Sequence, residues 1–98
     1  MPQDAESEHT ELLIEALLSL KTREECAKLL TDLCTPREIK DLSQRITVAQ
    51  MLRERITYNE IAQRVGTSTA TICRVNRCLQ YDGTGGYELV LSRIEASE

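Results

Sequence analysis

Residues 58–77 constrain this chain more than any other stretch. Ile61 and Val65 fall on one helical stripe and Ile72 and Val75 on another, with Gly66 between them. A glycine at that point supplies the positive φ that ends a first helix and turns the backbone into a second. Ala62 is small where the two helices must approach. The spacing predicts a helix-turn-helix over about 58–81, whose second helix offers Ser68, Thr69, Ala70, Cys73, Arg74 and Arg77 on its outer face. Short side chains first and cations further along suit a helix that lies in a DNA major groove. Binding to duplex DNA is the expectation that follows.

Helix starts are legible elsewhere. Thr22 with Glu25, Thr35 with Glu38 and Thr57 with Glu60 each match a capping box, a threonine N-cap with glutamate three residues on. Pro36 takes the first helical position, where a missing N–H costs nothing. Ser68 is a further N-cap with Thr71 in place of the glutamate, an omission that suits a helix start facing phosphates. Outward from these caps the apolar periodicity predicts helices over about 8–20, 23–33, 36–54, 58–65 and 69–81. A last helix follows the break at 82–86 and carries Tyr87, Val90, Leu91 and Ile94. That glycine cluster lacks the spacing, strand and lysine of a phosphate loop. The predicted class is all-α, a single domain over 1–98 with a frayed tail over 1–7.

The chain has 98 residues, no Trp, no Phe and three tyrosines, Tyr58, Tyr81 and Tyr87. A chain this short buries roughly 65% of the surface its unfolded form exposes. Its first third carries more leucine than one such chain can cover, so a core shared with a second copy is expected. Net charge is −4, but it is unevenly divided: −5 over 1–36, +4 over 37–80 and −3 over 81–98. A basic middle segment localises a phosphate-facing surface on an acidic whole. Cys26, Cys34, Cys73 and Cys78 form no CxxC pair, and His9 is the one histidine, so no metal site is predicted. The thiols read as small apolar residues in a reducing cytosol, with a redox switch as the alternative. No signal, membrane-spanning or lipidation motif is visible and the start is acidic, so a cytoplasmic location is expected. No placed histidine, nucleophile–base pair or carboxylate dyad points to an enzyme.

Leu33 to Glu38, Gln44-Arg45, Met51-Leu52, Tyr58 to Ala62 and Gly66 to Arg77 together resemble the Trp repressor family. The resemblance is closest to its YerC/YecD-type branch, which also shares the Asn76-Arg77 pair, Leu79 and Gly85-Gly86-Tyr87. It spans about Leu12 to Ile94 and implies a six-helix, intertwined homodimer that presents two helix-turn-helix units to successive major grooves. Such a dimer needs recognition helices about 34–36 Å apart and a palindromic operator. The implied function is a transcriptional regulator, expected to be a repressor. A helix-turn-helix that docks a protein partner without DNA is the alternative.

Site residues carry over position by position. Thr69, Ala70 and Cys73, with Asn59 from the preceding helix and Ser68, Thr71 and Arg74 beside them, resemble the DNA-reading set. Arg64 and Arg77 are expected on phosphates. The family's corepressor pocket falls on Arg45, Thr71 and Arg74, with Val75 where the family has a glycine and Cys78 where it has a serine. A valine there implies that the space for an indole ring is filled. No cofactor is therefore expected, tryptophan in particular, with a small carboxylate on Arg74 as the alternative.

Overall fold

A computed structural model describes residues 5–97, and every regular element in them is helical. The order is α1 (Ala5–Ser19), α2 (Arg23–Leu33), α3 (Pro36–Arg53), α4 (Tyr58–Val65), α5 (Thr69–Arg77) and α6 (Gly86–Ala96). A π-helical turn, Cys78–Asp82, extends α5. The all-α class and the six helices are as predicted, with ends that differ by more than one residue at the start of α1 and the end of α5. Helix α1 opens at Ala5 rather than near Glu8, so residues 5–7 of the expected tail are helical, and residues 1–4 lie outside the described residues. Glu6 and Glu8 stand in its first turn, where the helix dipole favours carboxylates. The predicted helix over 69–81 is α-helical only to Arg77.

The caps form as read. Thr22, Thr35, Thr57 and Ser68 side chains accept the N–H of Glu25, Glu38, Glu60 and Thr71 at 3.1, 3.1, 3.2 and 3.2 Å. The Thr35 box is fully reciprocal, since the Thr35 N–H donates to Glu38 Oε1 at 2.9 Å. The Thr35 backbone and hydroxyl together hold the Glu38 carboxyl below its usual pKa. Glu25 instead accepts from Lys21 N–H at 2.9 Å, one residue further back. Just past the end of α3 Arg55 takes φ 62°, and the Ile56 N–H is bonded back to Met51 O at 3.1 Å.

Two compact units divide the described chain, the first up to Ile39 and the second from Lys40. The second unit holds the core. Val48 and Ala49 of α3, Ile61 of α4 and Ile72 of α5 are fully buried, and Val75 and Leu91 are nearly so. At one corner Arg53 of α3 pairs with two carboxylates of α6, Glu88 at 2.9 Å and Glu95. The bidentate bond from Arg53 holds the Glu88 carboxyl below its ordinary pKa. In the first unit, α1 and α2 contain no buried residue, and Leu12, Leu13, Ile14, Leu17 and Leu18 of α1 are all exposed. Among the described residues no helix is long and apolar enough to cross a membrane.

Candidate nucleic-acid interface

Gly66 ends α4 at φ 74°, ψ 34°, and its N–H closes on Ala62 O at 2.9 Å. Two residues later Ser68 caps α5, so a single residue, Thr67, separates the cap of one helix from that of the next. Ile61, Ile72 and Val75 turn inward from α4 and α5 and lock the pair. Burying three such side chains contributes roughly 1.5–3 kcal/mol each. With those faces committed, the opposite face of α5 is set by helical geometry alone.

Asn59, Arg64, Ser68, Thr69, Ala70, Cys73, Arg74 and Arg77 are exposed, and Thr71 is half-buried. Their engagements differ. Ser68 Oγ accepts the Thr71 N–H and lies 3.2 Å from Thr71 Oγ1, so both hydroxyls serve the helix start. Arg64 pairs with Glu60 one turn back, at 3.1 Å, and Arg77 with Asp82 at 2.8 Å. Residues 77 and 82 are five apart, and the π-helical widening lies between them. Arg74 forms no ion pair among the described residues. What remains at the N-terminal end of α5 is a small, mixed surface: the Thr69 hydroxyl and methyl, the Ala70 methyl and the Cys73 thiol. Hydroxyls and methyls of this size meet base edges and thymine methyls in a major groove.

The five residues assigned to an effector pocket separate into three places. Arg45, Thr71 and Arg74 line one hollow of about 200 Å³ together with Asp41 and Gln44. Val75 is not in it, because Val75 stands three residues after Ile72 on the inward face of α5 and is 1% exposed. Cys78 lines a different hollow of about 300 Å³, with Ile46, Leu79, Tyr87 and Val90 among its walls. The sequence reading missed Asp41, which brings a carboxylate to the arginines of the first hollow. Its signal was the i, i+4 spacing from Arg45 on α3. Among the described residues no cluster of His, Cys, Asp and Glu could hold a metal.

Similarities outside this chain run along nearly its whole length. The family model described as Trp repressor protein matches residues 8–95. The uncharacterized protein YerC of Bacillus subtilis is 51% identical over 86 residues, which cover 88% of this chain and 82% of that one. The crystal structure of a TrpR like protein from Eubacterium eligens superposes with a TM-score of 0.85 at 50% identity, covering 90% of each chain. A Staphylococcus aureus structure matches with the same TM-score at 42% identity over 96% of each.

Proposed function

The chain belongs to the Trp repressor family, and on that footing we propose that it is a dimeric, sequence-specific DNA-binding regulator of transcription. It acts by occupying operator DNA and performs no covalent chemistry. The observation that carries this reading is the α4–α5 pair, whose inward residues fill the core while Thr69, Ala70, Cys73 and Arg74 are left outward. Homodimerisation is supported by the exposed leucines of α1 in the first unit and, within the second, by the exposed Leu89, Val90 and Ile94 of α6, apolar side chains that association would take out of water. A two-fold dimer reading successive major grooves selects a palindromic site with half-sites about 10 base pairs apart. Selection from a random duplex pool tests this, and a pool that yields no enriched palindrome sinks the proposal.

Tryptophan is not the effector in this reading. The hollow at Arg45, Thr71 and Arg74 has no apolar side chain in its wall, and an indole ring needs apolar walls. The paired guanidinium groups suit a small carboxylate. Calorimetric titration with tryptophan is expected to give no heat at micromolar concentration, and a micromolar isotherm refutes this assignment.

Docking to a protein partner is the competing role, favoured by the internal pairing of Arg64 with Glu60 and Arg77 with Asp82. Salt separates the two. Counterion release makes duplex binding fall steeply with salt, whereas docking to a protein shows no comparable loss.

A further inference from the structure

The chemistry beside the recognition helix continues onto α3. Gln44 lines the polar hollow that it shares with Thr71 and Arg74 of α5, and it also lines a second one. The second hollow, of about 300 Å³, is lined by Lys40, Ser43, Gln44 and Thr47 of α3 and Arg64 of α4, over a floor of Met51 and Val65. Residues 40, 44 and 47 stand at i, i+4 and i+7, so one face of α3 presents all three.

Its charge is one-sided. No carboxylate lines this hollow, whereas Asp41 lines its neighbour. Lys40 is exposed and forms no ion pair among the described residues. Arg64 keeps about half of its side chain exposed beside Glu60. Lys40 brings an unpaired ammonium and Arg64 a guanidinium shared with Glu60, and with the Gln44 amide between them they can seat an anion. The anion's source follows from position. A helix in a major groove about 12 Å wide has rows of phosphates on either side of it, so elements flanking that helix meet the backbone. Gln44 joins the hollow directly to the one beside α5.

We infer that Lys40 and Arg64 clasp a backbone phosphate of the bound duplex, so that α3 takes part in DNA binding from outside the helix-turn-helix. The inference rests on the DNA-binding reading above. Lysine serves such a contact as a point charge, without demanding bidentate geometry. The contact carries no sequence information and sets register and affinity only.

The test compares the full chain with Lys40→Gln and Lys40→Arg, titrated with a duplex pool of random sequence between about 50 and 200 mM salt. Polyglutamate serves as a competitor. Lys40→Gln is expected to lower the slope of log affinity against log salt by about 0.9, the share of one phosphate. It weakens all duplexes alike, and Lys40→Arg restores both affinity and slope. An unmodified protein that binds no duplex at any salt overturns the DNA-binding reading and the clasp with it. Binding that persists while Lys40→Gln leaves the slope unchanged overturns the clasp alone. A loss that Lys40→Arg does not restore, or competition by polyglutamate as effective as by duplex, also overturns it.

Discussion

Arg55 holds φ 62°, a left-handed conformation that a side chain with a Cβ adopts at a cost of about 1–2 kcal/mol. It goes with the closure of α3, where the Ile56 N–H is bonded to Met51 O in the manner of a left-handed helix cap. Arg55→Gly is therefore expected to raise the free energy of unfolding by about 1 kcal/mol, read as a higher urea midpoint at unchanged slope. Gly66→Ala runs the other way by a similar amount, and since nothing lies within 4 Å of the missing Cβ, its cost is conformational alone. Asp82 has a different role, neutralising Arg77 at the C-terminal end of α5, beside the surface proposed to meet DNA. Asp82→Asn is expected to tighten duplex binding a few-fold and to steepen its salt dependence by up to about 0.9, measured by fluorescence anisotropy. Unaltered affinity and slope would show that Arg77 lies away from phosphate. This pairing could not be read in advance. In an α-helix residues five apart do not face each other, and only the π-helical turn brings 77 and 82 together.

Elements show which parts of the structure were legible and why. The N-caps at Thr22, Thr35, Thr57 and Ser68 and the stop at Gly66 were readable because each depends on residues within one turn. That Val75 faces inward was readable as well, from its place with Ile72 on the apolar stripe; that it lines no effector hollow, and that Cys78 lines a separate one, was not. Those placements depend on packing with Val48, Ala49 and Leu91, residues far away in sequence. The width of the exit from α5 depends on how closely Gly83 can approach. For α3, the cap has a pH signature. Glu38 and Glu88 both have lowered pKa values in the folded chain. Their contributions are thus complete above the ordinary carboxylate range and vanish as pH falls through the lowered values. Acidification should loosen the first turn of α3, seen as a lower protection factor at the Glu38 amide once the intrinsic pH dependence of exchange is divided out, and Glu38→Gln should remove that loss. Thr35→Ala should cost about 1 kcal/mol at neutral pH.

At the scale of the whole molecule, the buried core among the described residues consists of six side chains, all in the unit that begins at Lys40. The other unit, with its leucines outside, has no core of its own and must find one. If a second copy supplies it, the melting temperature rises with protein concentration, because association is linked to folding. Leu13→Glu with Leu17→Glu is expected to yield a monomer in sedimentation and to abolish binding to a palindromic duplex. A melting temperature independent of concentration over a hundredfold range would count against the dimer. The uncovered leucines of α1 were legible in outline, since the first third of the chain holds more leucine than a chain this short can bury.

The wide turn after α5 closes through the Gly83 N–H, bonded to Cys78 O at 2.9 Å. A methyl on residue 83 would lie 2.3 Å from that same oxygen. The junction therefore works as a keyed joint that admits one amino acid. Wedging it with alanine would break the closing bond, displace the entry into α6 and unseat Leu91. One added carbon atom, outside α5 altogether, could thus disarrange the fold that presents its outer face.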